Sequence, residues 1–139
     1  MTSDGLALES LPPVMLVAPP SPLDPKLFRQ ALGKFATGVT VVATRDREGQ
    51  PRGLTVSSFC SVSLDPPLIL VCVDNRSEAH PAFLASKLFG VSVLAEEQQD
   101  VSRRFASLDG DRDSFSFARG PEGAPLVPGA LAGIECALH

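Results

Sequence analysis

The chain has 139 residues, 44% of them hydrophobic, with a formal net charge of −4 and three cysteines. That length suits one ordinary domain, and mild acidity without a basic block argues against nucleic acid as a partner. No apolar run reaches membrane-span length, and no basic-then-apolar start reads as a secretory signal. Cys60, Cys72 and Cys136 are too few and too widely spaced for a disulfide framework or a zinc site, so a reducing cytoplasm is the expected setting.

Residues 1–23 read as an irregular leader, because Pro12, Pro13, Pro19, Pro20 and Pro22 interrupt any regular element. Within it, Val14 to Val17 is a short apolar run suited to an edge strand. The domain proper is expected over residues 24–139. Asp24 followed by Pro25 predicts a helix start, a capping carboxylate ahead of proline at the first helical position. Leu27, Phe28, Ala31, Leu32 and Phe35 recur at helical spacing, with an end expected near Thr37 and Gly38. Val39–Thr44 predicts a buried strand, Asp46–Pro51 a turn, and Arg52–Phe59 a returning antiparallel strand. Asp65-Pro66-Pro67 enforces an extended or turn conformation before a third strand over Leu68–Val73.

A short helix is expected over Ser77–Ser86, with Ser77 as its cap and Pro81 near its first turn. Leu88–Ala95 reads as a strand. Glu96–Ser107 reads as a helix with acids early and Arg103 and Arg104 late, which suits the macrodipole. Asp109–Pro128 reads as loop and Ala130–Leu138 as a last strand. This pattern, mainly β with short helices, points to a closed barrel with helical covers.

The stretch between Gly53 and Leu64 is dense in hydroxyls. As one continuous strand it would place Thr55, Ser57, Phe59, Ser61 and Ser63 on one face, and Val56, Ser58, Cys60, Val62 and Leu64 on the other. A hydroxyl-bearing face suits a ligand rich in hydrogen-bond acceptors, such as a phosphate; an ordinary exposed strand face gives the same pattern. Neither a G-x-x-x-x-G-K loop nor a G-x-G-x-x-G turn is present, and no Ser-His-Asp or paired-carboxylate arrangement is evident. His80 reads as a surface residue.

Several motifs in fixed order resemble the flavin reductase family: TGVTVV at Thr37–Val42, G-x-T-x-S-S-F at Gly53–Phe59, SVSLDPPL at Ser61–Leu68 and the strand end Leu70–Cys72. FGVSVL (Phe89–Leu94), QQDVSRRF (Gln98–Phe105) and GALAGIEC (Gly129–Cys136) continue the match. The resemblance implies an FMN-binding split β-barrel, usually a homodimer. It implies NAD(P)H:flavin oxidoreductase activity, with FMN or FAD as the flavin, NADH or NADPH as reductant, and a monooxygenase as recipient of reduced flavin.

The flavin contacts it implies are Gly53, Leu54, Thr55, Val56, Ser57 and Ser58, then Cys72, Val73, Asp74 and Ser77, and Phe105. Ser77 either meets the phosphate or simply caps a helix. Phe105 lies either near the flavin or on the apolar face of its helix, and Arg104 reaches a phosphate or ends a solvated helix. Hydride transfer needs stacking and alignment, so no catalytic side chain and no metal ligand is expected. Two departures stand out. Ser92 replaces the usual Asn of the strand motif, and the family's later Gly-Asp-His turn is not found, since His139 lies too close to Cys136 to match it. The resemblance therefore leads to the expectation of a barrel without its last strands. The alternative reading is a non-catalytic flavin-binding module or an inactive truncated remnant. A split-barrel oxidase of the pyridoxamine-phosphate type fits the SVSLDPP wording poorly.

Overall fold

The computed structural model describes residue 22, residues 24–107 and residues 110–139. The expected leader over residues 1–23, including Val14–Val17, therefore falls almost wholly outside the described residues. The chain divides into two units, residues 1–36 and residues 37–139.

In the first unit, helix α1 spans Pro25–Leu32. Asp24 caps it as expected: its carboxylate accepts from the Lys26 N–H at 2.8 Å, and Pro25 fills the first turn, where no backbone donor is needed. The helix stops at Gly33, earlier than the apolar spacing suggested. The N–H groups of Lys34 and Phe35 bond back only three residues, to Ala31 and Leu32, so the last turn tightens and ends. Glycine's low helix propensity explains why the apolar run beyond it does not prolong the helix.

The second unit is built on a four-stranded antiparallel sheet in the spatial order Pro51–Val56, Thr40–Arg45, Leu88–Val93, Ala132–Ala137. Its strands are β1 (Thr40–Arg45), β2 (Pro51–Val56), β5 (Leu88–Val93) and β8 (Ala132–Ala137). Between them run the hairpin β3 (Cys60–Leu64) and β4 (Pro67–Leu70), and the helix α2 (His80–Ala85). A 3-10 turn over Glu96–Gln98 leads into α3 (Gln99–Ala106). The pair β6 (Ala118–Arg119) and β7 (Pro125–Leu126) precedes β8; it lies inside the segment expected to be loop.

β1 explains the continuous apolar wording of its sequence. It is flanked by β2 and β5 and buried on both faces. Val41 packs with Leu94, Phe105 and Val127 on one face. Val42 packs with Val56 and Val91 on the other. The hydroxyls of Thr40 and Thr44 are buried at the strand ends, where they donate to the carbonyls of Val56 at 3.0 Å and Leu88 at 2.7 Å.

β5 must pass close under the 124–127 segment. A Cβ on Gly90 would sit 2.3 Å from the Pro125 carbonyl oxygen, so only glycine fits there. Two residues on, Ser92 is 1% exposed, and its Oγ accepts from the Val127 N–H at 2.9 Å. The residue that departs from the family motif thus keeps a hydrogen-bonding task, and its short side chain suits the close approach.

The strand expected over Arg52–Phe59 ends at Val56, so the hydroxyl-dense run of residues 53–64 is shared between two strands. Thr40 opposite Val56 is the last pair of the β1–β2 ladder, and there the Thr40 hydroxyl also donates to the Val56 carbonyl. The chain leaves the sheet over Ser57–Phe59 and re-enters strand geometry at Cys60. Alternation therefore does not carry across the break. Similarly, α2 starts at His80, three residues later than expected. Pro81 explains this: lacking an N–H, it is accommodated only in the first helical turn.

Candidate functional site

β2 brings Gly53, Leu54, Thr55 and Val56 to the edge of the sheet, and the break after Val56 turns Ser57 and Ser58 outward, where both are exposed. The segment after β4 runs alongside. Ser58 joins the two: its Oγ accepts from the Cys72 N–H at 3.2 Å and donates to the Cys72 carbonyl at 3.3 Å. One hydroxyl thereby replaces a pair of ladder bonds and holds Leu54–Ser58 beside Cys72–Ser77.

Beyond Cys72 the chain forms a tight turn. The Ser77 N–H bonds the Asp74 carbonyl at 2.9 Å, and the Asp74 carboxylate accepts from the Arg76 N–H at 2.8 Å. The Arg76 guanidinium also pairs with that carboxylate, at 3.2 and 3.0 Å. The Arg76 side-chain and backbone bonds hold the Asp74 carboxyl down at about 2. Ser77 Oγ accepts from the Ala79 N–H at 3.3 Å, a local turn bond one step before α2 rather than a cap on it. Val73 is half-buried, while Cys72 and Asp74 are exposed.

The side chains of Thr55 and Phe105 both meet groups within the protein. The Thr55 hydroxyl donates to the Ser102 carbonyl of α3 at 2.6 Å, so its side chain faces the helix. Phe105 is 2% exposed. Its ring lies against the Cα of Gly53, where an added Cβ would meet it at 3.4 Å, and packs with Phe115 and Phe117 at centroid distances of 5.2 and 5.3 Å. The ring thus lies on the apolar face of its helix, beside the Gly53 end of β2. The cause is tertiary: the apolar side of α3 docks on the Gly53–Thr55 side of β2, and Gly53 is the notch that receives the ring. Arg104 bonds the Ser114 hydroxyl at 3.2 Å and lies 5.7 Å over the Phe115 ring.

The remaining groups suit a flavin by their chemistry. The exposed Ser57 hydroxyl, the backbone at a strand break and an arginine-bearing turn can serve a ribityl-phosphate and a ring edge. Among the described residues no cluster of metal-ligating side chains is found. No described helix is long and apolar enough to cross a membrane.

Sequence reasoning passed over a cavity of about 290 Å³ next to this site. Gly53 and Arg52 line it from β2, Glu78 and Ala79 from the segment after Ser77, and Arg112 and Asp113 from the loop after α3. Arg112 crosses from that loop to Glu78 (3.4 Å) and donates to the Ser107 carbonyl, while Arg52 bonds Asp46 at 2.8 Å and approaches Asp113 at 3.5 Å. The signal in the sequence was an arginine between two aspartates, DRD, inside a segment read as plain loop.

Known proteins share both sequence and fold with this chain. The sequence pattern of the flavin reductase like domain matches residues 32–139. The reductase subunit HsaB of a flavin-dependent monooxygenase from Rhodococcus jostii is 44% identical over 118 residues, which are 84% of this chain and 60% of that protein. The NADH-using FMN reductase SmoA of Agrobacterium fabrum is 47% identical over 109 residues, 78% of this chain and 62% of that protein. Among solved structures, the NADH:FAD oxidoreductase SgcE6 of Streptomyces globisporus, in complex with NAD and FAD fragments, superposes with a TM-score of 0.74 at 43% identity, covering 86% of this chain and 74% of that one. The chain thus spans about 60% of the length of these two curated relatives. The sheet, the two hairpins and the covering helices are those of the split barrel shared by such reductases. The chain belongs to the flavin reductase like domain family.

Proposed function

We propose that this chain binds FMN or FAD and acts as an NAD(P)H-dependent flavin reductase that supplies reduced flavin to a partner monooxygenase. The observation that carries the reading is the Ser58–Cys72 bracket, which sets the hydroxyl-bearing end of β2 against the Asp74–Ser77 turn. Relatives named as FMN and FAD reductases using NADH, and as the reductase subunit of a monooxygenase, support the same class.

The flavin contacts in this reading are the backbone of Leu54–Ser58, the hydroxyl of Ser57 and the turn Cys72–Ser77. Gly53, Thr55 and Phe105 form the wall behind them. Bound flavin supplies a hydride-accepting ring, which no side chain offers. The protein's part is to hold that ring so that a nicotinamide can stack on it, since alignment dominates such transfers. Ser57 and the backbone N–H groups of the strand break orient the ribityl chain. Arg76, fixed by Asp74, sets a positive group where a phosphate ends.

Assembly as a homodimer in the cytoplasm is part of the proposal. Val62, Leu64 and Leu70 of the β3–β4 hairpin and Leu84 of α2 are exposed, apolar side chains that a second subunit would cover. All three cysteines are free.

The test is NADH and NADPH oxidation followed at varied FMN, FAD and riboflavin, with flavin binding measured separately by fluorescence quenching. Flavin-dependent oxidation supports the reading. Tight binding without oxidation would instead make the chain a flavin-binding module.

A further inference from the structure

We propose that Cys60 and Cys72 form a peroxide-oxidised thiol pair, and that their disulfide opens the Ser58–Cys72 bracket and loosens bound flavin; the last step rests on the flavin reading of the neighbouring site. Face and register carry the first part of the argument. Cys60 pairs with Leu70 across the β3–β4 ladder. Ser58 stands two residues before Cys60, and Cys72 two residues after Leu70. The Ser58 hydroxyl holds the Cys72 backbone at 3.2 and 3.3 Å, so the same pairing continues to the base of the stem. The residues between, Phe59 and Val71, pack against the second core cluster. Alternation turns Cys60 and Cys72 to the opposite side. Both are exposed there. They are diagonal neighbours on the outer face of the hairpin stem.

The give in that stem carries the second part. Diagonal neighbours in an antiparallel pair stand about 7–8 Å apart, and a disulfide draws its two Cα atoms to about 4.4–6.8 Å. Bridging the pair therefore requires the two segments to close by about 1 Å. Residues 57–59 and 71–74 lie outside the strands, and the β3–β4 register slips between Ser61 and Ser63, so this part of the hairpin can shift. Cys72 moving toward Cys60 leaves the Ser58 hydroxyl. The Leu54–Ser58 and Cys72–Ser77 segments then part.

The oxidant is hydrogen peroxide, formed when reduced flavin passes two electrons to dioxygen instead of to an acceptor enzyme. The Cys72 thiolate attacks one peroxide oxygen, the O–O bond breaks, and the leaving hydroxide takes up a proton as water. The product is a sulfenic acid on Cys72. The Cys60 thiolate attacks that sulfur; the S–S bond forms, the S–O bond breaks, and a second water leaves. Two thiols are oxidised and one peroxide is reduced to two waters. In a reducing compartment such a bond is transient and suits sensing. A reductase that outruns its acceptor would thus slow its own turnover.

The test treats the reduced 139-residue chain with hydrogen peroxide, alongside Cys60→Ser and Cys136→Ser. Trypsin releases both cysteines in one peptide, Gly53–Arg76. That peptide should lose two hydrogen atoms and resist thiol labelling, and dithiothreitol should restore it. Amide exchange at Cys72 should quicken on oxidation. Flavin affinity, read by fluorescence quenching, should fall about tenfold and recover on reduction. In Cys60→Ser, oxidation should stop at the Cys72 sulfenic acid, which dimedone traps, with exchange and affinity unchanged. Cys136→Ser should behave as the unaltered chain. Bridges between two chains or to Cys136, or thiols that survive peroxide, would overturn the pair. A Cys60–Cys72 disulfide that leaves both exchange and flavin affinity unchanged would overturn the switch. An equal loss of affinity in Cys60→Ser would overturn it too, assigning the effect to Cys72 oxidation alone. A reduced chain that binds no flavin would remove the flavin reading, while peptide mapping and exchange would still decide the pair.

Discussion

Ser58 and Thr55 lie three residues apart and bear on different properties. Replacing Ser58 with Ala removes both bonds to Cys72 and lets the two flanking segments separate. Flavin affinity should fall about tenfold, with little change in melting temperature, because the bracket is exposed. Replacing Thr55 with Val removes the bond that its hydroxyl donates to the Ser102 carbonyl of α3. That should cost about 1–2 kcal/mol of stability while flavin affinity holds. Parallel quenching titrations and thermal melts on the two variants decide the matter; a Thr55→Val protein that melts normally but loses flavin would reverse the assignment.

Asp74 adds a pH dependence at the same scale. Its carboxyl is held at about 2, chiefly by the hydrogen bond from Arg76, so the charged form is favoured in the fold. The sign follows directly: the contribution of this pair is complete above the ordinary carboxylate range and disappears as pH falls through about 2. The turn therefore keeps its form across mildly acid conditions. In Arg76→Met the Asp74 titration should move up toward the ordinary range, which carbon-detected carboxyl titration by NMR reads directly. An unmoved titration would show that Arg76 does not hold the turn.

Among elements, α3 shows how far sequence pattern reaches. Its amphipathic spacing and its late arginines were legible, because both are local. Its docking partner was not. Gly53 reads in sequence as a place of close backbone approach, and the notch beside it receives the Phe105 ring, a contact that no local pattern announces. The start of α1 was legible from Asp24-Pro25, whereas its end was set by Gly33 against an apolar spacing that continued past it. β6 and β7 escaped notice because two-residue strands carry no periodicity. The bracket at Ser58 was invisible for another reason, since it joins a side chain to backbone 14 residues away. The hydroxyls themselves, and the two segments that carry them, stood out at once. Phe105→Ala should cost about 3–5 kcal/mol, as for a large aromatic lost from a core. Ser92→Ala, which strands the buried Val127 N–H, should cost about 1–3 kcal/mol. Denaturant melts of both variants test the ranking; a mild Phe105→Ala would mean that α3 is not what secures β2.

For the molecule as a whole, thiol chemistry offers a direct test of which surfaces are open. Cys60 and Cys72 are exposed, while Cys136 is half-buried against the second core cluster, where burial pushes its thiol up. A thiol reagent at neutral pH should label Cys60 and Cys72 quickly and Cys136 slowly. Saturating FMN should slow the labelling of Cys72, and peptide mapping would show it. Protection of Cys60 without flavin, growing with protein concentration, would mark the hairpin as the surface on which two copies meet.

The Ser58–Cys72 bracket also bears on how this architecture tolerates change. It closes the base of the β3–β4 hairpin, so everything between residues 59 and 71 hangs from a clamped stem. The entropy of a longer loop grows only slowly with length, and here its ends are already pinned. Extra residues at the exposed tip near Leu64 and Asp65 would therefore leave the stem, and the ligand contacts beside it, in register. The hairpin behaves as an exchangeable limb: its outer end can be lengthened, shortened or rewritten to suit a new neighbour without disturbing the chemistry at its root.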